Sequence, residues 1–444
     1  IACISALDLG YINLKQCIYK VENIIKNMND LERYEGHFYN WYDTKSKKPL
    51  NPKYISTVDS GNLIGYLWLL ENTFYEFLEE PFINIKDISK GIIDLLYLSM
   101  EEIGEEKQNY IKSKEILDTF EGDVFSFIKI LKELKLESYD CIKGKENLYW
   151  NTKLYKTLKI FEEDFNTIFP WSQLIEESKL YETLDNNIIK ELSNLITKCS
   201  LQNFEDAILK IGDYLKNSKE EYLDKLNINI QNSKNEIKNL KDKIVNIIKN
   251  LNSISDKMNF KMLFDEGRGL FAIGYDVEKH CLDNCYYDLL ASEARQASFI
   301  TIAKGDIPYT HWFNLGRSIS AIGRKKGLVS WSGTMFEYLM PLLIMKSYPN
   351  TLLKETYDFV VESQKKYGEK KNVPWGISES GFYAFDVNLN YQYKAFGVPG
   401  IGLKRGLETE LVISPYSTFM ALNVDYKSAI DNLKRIIDIG AEGR

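Results

Sequence analysis

LDKLNINIQNSKNEIKNLKDKIVNIIKNLNSI, residues 223–254, places Leu223, Leu226, Ile230, Ser233, Ile237, Leu240, Ile244, Ile247, Leu251 and Ile254 at alternating steps of three and four. That spacing is a heptad seam, the pattern of a helix that buries one stripe along its length. Serine interrupts it once, at position 233. No proline occurs between Pro170 and Pro308, as long uninterrupted helices require. The seam therefore predicts a coiled-coil-like helix paired with those before it, a helical hairpin inserted over 175–257. A structural role for this arm outweighs a partner-binding one.

Working outward, helical periodicity recurs. Leu14 to Leu31 carries Cys17, Ile18, Val21, Ile24, Ile25 and Met28 on one face, after Asn13 as cap. Asp59 or Ser60 is placed to cap a helix from Asn62 to Leu78, and three or four more helices fit between Ile85 and Phe169. Composition then shifts near Lys261: nine of the 26 glycines precede it and 17 follow. Beyond it, helices are expected over Tyr286–Lys304, Thr334–Lys346, Thr351–Gly368, Pro415–Asn423 and Tyr426–Ile439, separated by glycine- and aromatic-rich loops. Strand signals are few, Leu270–Tyr275 being the best. About a dozen helices alternating with long loops favour an all-α toroid over an α/β fold. The loops Gly36–Asp43, Tyr309–Gly333 and Val373–Gly381 are expected to open at one end of it.

Charge and composition narrow the function. The chain has 444 residues, 44% hydrophobic and 27% charged, with a formal net charge of −7, which argues against nucleic acid or an anionic membrane as the main partner. No apolar run is long enough to span a bilayer. Six cysteines are too sparse for a disulfide framework, so a reduced, cytoplasmic setting is expected. His280, Cys281 and Cys285 lack a second pair at finger spacing, so no metal site is expected. Gly397–Gly406 with Lys404 lacks the spacing of a phosphate loop, so no nucleotide cofactor is expected either. The 29 tyrosines, 22 phenylalanines and seven tryptophans suit sugar faces, though large helical cores also use them.

Two carboxylates stand out. Glu293 falls among Leu289, Leu290, Ala294, Ala297 and Phe299, where desolvation would hold its proton. Glu379 follows Trp375 in a loop flanked by Gly376 and Gly381, with the Ser378 and Ser380 hydroxyls at hand to keep it ionised. Breaking a glycosidic bond needs one carboxylic acid and one carboxylate in environments that push their pKa values apart, and the two glutamates fit those roles. A helical glutamate near Arg295 is also a common structural ion pair, and a glutamate in a glycine-bounded loop is often merely exposed. Glu337 and Asp59 compete as substrate-orienting carboxylates, with helix capping the stronger expectation for Asp59. Trp41, Arg317, Trp331, Trp375, Tyr391, Gln392 and Tyr393 are candidate sugar contacts. The aromatic wall of Phe38, Tyr39, Trp41 and Tyr42 fits a cleft lining or a hydrophobic plug equally well.

Several long blocks carry a resemblance. LLASEARQASF (289–299), SWSGTMFEYLMPLL (330–343), VPWGISES (373–380), YQYKAFGVPGIGLKRGL (391–407) and ISPYSTFMAL (413–422) resemble the central, glycoamylase-like domain of the cyclic β-1,2-glucan synthases. HFYNWYDT (37–44) and STVDSGNL (56–63) resemble its N-terminal half. The resemblance implies an (α/α)6 barrel, one domain over 1–444 truncated at both ends. It also implies an anomer-retaining transglycosylation that closes linear β-1,2-glucan into rings, with Glu293 as acid/base and Glu379 as nucleophile. The expected partners are the glucan and the other domains of a parent synthase, a membrane glycosyltransferase and a phosphorylase-like domain, on the cytoplasmic side of the membrane. Hydrolysis of the same glucan, or a non-catalytic glucan-binding role, are the alternatives.

Overall fold

The heptad seam forms one continuous 36-residue helix, Tyr222–Lys257. In the computed structural model, which describes residues 1–104, 108–144, 148–177, 186–215, 222–381 and 392–441, its stripe from Leu226 to Ile254 is buried throughout. Ser233 is fully buried with it and donates its hydroxyl to the carbonyl of Ile168, the last residue of the helix Tyr149–Ile168. Helix ends leave carbonyls without intrahelical partners; the serine that interrupts the apolar pattern supplies one.

Helix accounts for 61% of the structure and strand for 10%, an all-α composition. The chain divides into two compact units, Ile1–Asp30 with Trp68–Ser253, and Leu31–Leu67 with Ile254–Arg444. The boundary at 253/254 lies close to the compositional shift near Lys261.

The first unit is almost wholly helical. Leu14–Asp30 is capped by Asn13, whose side chain accepts from the Gln16 N–H at 2.8 Å. Among the described residues, four helices follow between Ile85 and Ile168: Ile85–Ile103, Gln108–Asp118, Val124–Ile142 and Tyr149–Ile168. Pro170 stops the last of them, and Phe169, Trp171 and Phe204 stack in the core beside it, with ring centroids 5.4–6.4 Å apart. The long helix is tied into this bundle by Lys15–Glu236 and Lys234–Glu205 ion pairs as well as by Ser233. Among the described residues, no helix is long and apolar enough to cross a membrane.

The second unit mixes short helices with small antiparallel sheets. One sheet joins Tyr54–Ser56, Gly274–Asp276 and Cys281–Leu282; another joins Phe264–Asp265, Leu270–Ala272 and Tyr286–Tyr287. Ile319–Ile322 and Lys325–Leu328 form a hairpin inside the expected Tyr309–Gly333 loop. The helix expected from Tyr286 begins only at Arg295, because Tyr286 and Tyr287 are drawn into a sheet and Leu289 bridges to Gly316. The helix expected from Asn62 begins at Thr57 instead. Its first turn is capped by the Ser56 hydroxyl, which accepts from the Asp59 N–H, so Asp59 lies inside the turn and is not its cap. Gly61 lets this helix cross Arg295–Lys304 closely: a methyl there would lie 2.1 Å from the Ala297 side chain.

Candidate active site

Three loops of the second unit carry the glutamates, and backbone bonds hold the loops together. Arg295, fully buried, anchors the first. Its guanidinium donates to the carbonyls of Ser292, Glu337 and Tyr338 and to the Tyr357 hydroxyl, which fastens the 292–295 turn to the short helix Met335–Leu339. The other side of that helix receives the third loop. Met335 N–H donates to the Ile377 carbonyl, and Phe336 N–H to the Ser378 hydroxyl at 3.0 Å. Glu293 and Glu379 are thus carried on turns docked to one five-residue helix that bears Glu337.

The second loop is held by the glycine-rich block. Ser330 N–H donates to the Ile401 carbonyl and its own carbonyl accepts from Leu403 N–H, Val398 N–H donates to the Gly333 carbonyl, and Lys404 N–H to that of Trp331. A side chain at Gly397 would fall 1.7 Å from the Ser332 carbonyl, so close backbone approach accounts for glycine there.

The three carboxylates differ in their hydrogen-bond donors. Glu337 is buried and accepts from the N–H groups of Ser332 and Thr334 and from the hydroxyls of Ser330 and Thr334, while Thr334 closes a capping box with it. Burial raises its pKa and these donors oppose the rise. Glu293 lies in the turn just before Arg295–Lys304, not in mid-helix as its apolar neighbours suggest. Its carboxyl meets the Ser292 hydroxyl at 3.2 Å. Desolvation, then the charges of Glu337 and Glu379, push it up to about 7, with only Ser292 and its own N–H pulling the other way. Arg295 is committed to carbonyls, so the structural ion pair with Glu293 does not form.

Glu379 is also raised, by desolvation first and by the Glu337 charge, against a hydrogen bond from Tyr393 that lowers it. The expected serine hydroxyls are occupied elsewhere. Ser378 bonds to Phe336 N–H and Tyr416, and Ser380 to the Gly381 carbonyl. The hydroxyl on Glu379 belongs to Tyr393. Strand pairing of Gly381 with Tyr393 puts that tyrosine diagonally opposite Glu379 on one face. Tyr393 was expected as a sugar contact; its position on the carboxylate could be read only from this pairing. Sequence reasoning also passed over Tyr287, a half-buried tyrosine on which the charges of Glu293, Asp59 and Glu379 all act.

The remaining candidates separate. Trp331 is half-exposed, and its indole N–H is fixed to Asp288 at 2.7 Å, leaving the ring face open. Asp59 is exposed, and its charge reaches Tyr287. Trp41 is half-exposed, while Tyr39 and Tyr42 pack on each other, so most of that aromatic wall packs internally. Gln392 is part-buried beside Tyr393. Two candidates are corrected. Trp375 is 7% exposed within the hydrophobic core, its backbone paired with Asn432, so its ring is filling and not a sugar platform. Arg317 donates to the carbonyls of Trp312, Phe313 and Leu315, closing the end of the short helix His311–Asn314, so its guanidinium is not free for a sugar. Tyr391 lies outside the described residues.

Residues 285–442 match the family described as putative glucoamylase, which takes in all three glutamates. Over all 444 residues the chain is 33% identical to the cyclic beta-(1,2)-glucan synthase NdvB of Rhizobium meliloti (strain 1021), of which it spans 14%. The chain therefore carries a glycoamylase-like domain and is, from end to end, a relative of a segment of the cyclic β-1,2-glucan synthases.

Proposed function

We propose that this chain rearranges β-1,2-glucan by anomer-retaining transglycosylation, as part of a larger membrane-bound synthase, with the (α/α)6 barrel of that family as its scaffold. One observation carries the reading: two carboxylates on turns docked to one short helix, one short of donors and raised to about 7, the other held by a tyrosine hydroxyl. In the first step the Glu379 carboxylate attacks the anomeric carbon while Glu293 gives its proton to the departing oxygen. The glycosidic bond breaks as the glycosyl ester forms. In the second step Glu293, now a base, takes the proton of an incoming hydroxyl, which attacks the same carbon and releases Glu379. A proton donor near 7 is well matched to both halves of this cycle at neutral pH.

The incoming hydroxyl decides the product. An acceptor already tethered on the same glucan gains about 7–11 kcal/mol from positioning over one that must diffuse in, so ring closure outruns hydrolysis wherever the chain end is held. The test is to incubate a protein containing this chain with linear β-1,2-glucan and follow products by mass and by reducing ends. Rings with no new reducing ends are expected. Short linear oligosaccharides with a matching rise in reducing ends would make it a hydrolase, and an unaltered glucan would sink both readings.

A further inference from the structure

Tyr287 is a tyrosine on which the charges of both proposed catalytic groups act and whose hydroxyl bonds to no described residue. It sits on the two-residue strand Tyr286–Tyr287, paired to Phe271, with the next residue, Asp288, in extended continuation. Side chains alternate along such a strand. Tyr286 turns to Asp265, to which it donates at 2.8 Å, and Asp288 to the Trp331 indole. Tyr287 is left to the opposite side. The first turn of the Thr57–Glu79 helix is docked onto the same sheet, Thr57 donating its hydroxyl to the Ala272 carbonyl at 2.7 Å, and the charge of Asp59 in that turn acts on Tyr287. The groups acting on the Tyr287 hydroxyl are Glu293, Asp59, Tyr54 and Glu379. Tyr54 is already donating to Asp283, and Tyr393 to Glu379. Among the described residues the Tyr287 hydroxyl has no hydrogen-bond partner. A phenol surrounded by carboxylates stays protonated and acts as a donor, never as a base.

We propose that Tyr287 donates its hydroxyl proton to a ring hydroxyl of the sugar bound between Glu293 and Glu379, and so fixes that sugar for attack. The assignment rests on the glycosidase reading above. A site built to hydrogen-bond a sugar hydroxyl discriminates strongly when the donor is removed, because the sugar group is then left unpaired away from water.

Wild type and Tyr287→Phe are compared on linear β-1,2-, β-1,3- and α-1,4-linked oligoglucosides, with thermal unfolding and a pH–rate profile for each. On whichever glucan wild type acts, Tyr287→Phe is expected to lower kcat/KM by about 10- to 100-fold, with an unchanged melting temperature and unshifted pH limbs. Equal kcat/KM in the two proteins overturns the assignment while the glycosidase reading stands. A pH limb displaced by a full unit, with activity restored at the new optimum, places the hydroxyl on a carboxylate instead and also overturns it. A melting temperature lowered in parallel with activity makes the residue structural, a third way for the assignment to fail. Wild type inert on all three glucans defeats the glycosidase reading, and this inference with it.

Discussion

Glu337, on the short helix Met335–Leu339, and Glu293, on the turn fastened to it, are joined by the same arginine, yet the fold treats their carboxyl groups in opposite ways. Around Glu337, residues 330–334 turn two N–H groups and two hydroxyls inward, so the carboxylate holds a loop in shape. Around Glu293, the chain turns into a helix and presents little beyond one serine hydroxyl, and desolvation prevails. Glu337 is buried and Glu293 part-buried. Donor number, more than burial, separates a carboxylate that organises a backbone from one that keeps a transferable proton near neutral pH.

The largest effects test the functional half of that contrast. Glu379→Gln removes the nucleophile, and turnover should fall by at least about 10,000-fold, roughly 5–6 kcal/mol. Glu293→Gln should cost about 100- to 10,000-fold on glucan, and much less on a glucosyl donor whose leaving group needs no proton. Product formation on both kinds of donor measures this. Undiminished turnover in Glu379→Gln would remove it from the mechanism, and an equal loss on both donors would remove Glu293 as the acid.

Stability should separate the same two glutamates in opposite directions. In Glu337→Gln the amide offers a single acceptor oxygen and two donors to a cage of donors. Breaking that buried network is expected to cost about 2–4 kcal/mol. Glu293→Gln should instead stabilise, and only at high pH. The folded carboxyl sits at about 7 against the ordinary 4.5, so the unfolded chain releases its proton first. The wild type is then at full stability below 4.5 and loses about 3 kcal/mol as pH rises from 4.5 through 7, a loss the glutamine does not share. Denaturant unfolding of the three proteins at pH 4.5 and pH 9 checks both halves. Two curves that move together with pH would show that burial alone governs these sites.

Much of this arrangement is legible in the sequence where periodicity is long. The seam over 223–254 and the glycine shift near Lys261 mark a helical unit and the approach to its boundary, because dozens of residues repeat one signal. The signal fails over two or three residues. LLASEAR has strong helical propensity, yet pairing of Tyr286–Tyr287 with Phe271 and Ala272 overrides it and delivers Glu293 on a turn. Trp375 and Arg317 look functional by residue type, and only their contacts with Asn432 and with the 312–315 carbonyls reveal filling and capping roles. The Tyr393 hydroxyl on Glu379 depends on a strand register that no local pattern announces.

Ser233 gives the smallest test, carried into the helical unit. It is the polar member of an otherwise apolar stripe, as Glu337 is a carboxyl group beside an apolar core, and both are buried with their hydrogen bonds made. If satisfied donors and acceptors are what make such groups tolerable, Ser233→Ala should cost the hydrogen bond to Ile168 and little else, about 1 kcal/mol. The new methyl fits the space of the hydroxymethyl group, and the cost is the unpaired carbonyl at the end of Tyr149–Ile168. Ser233→Leu restores the heptad in sequence but forces three more carbons against that helix end, and overpacking of this kind costs about 1–3 kcal/mol. The leucine variant should therefore be the less stable of the two, measured by urea unfolding. A leucine variant more stable than wild type would mean that the seam obeys the heptad rule without exception and that the serine is a defect.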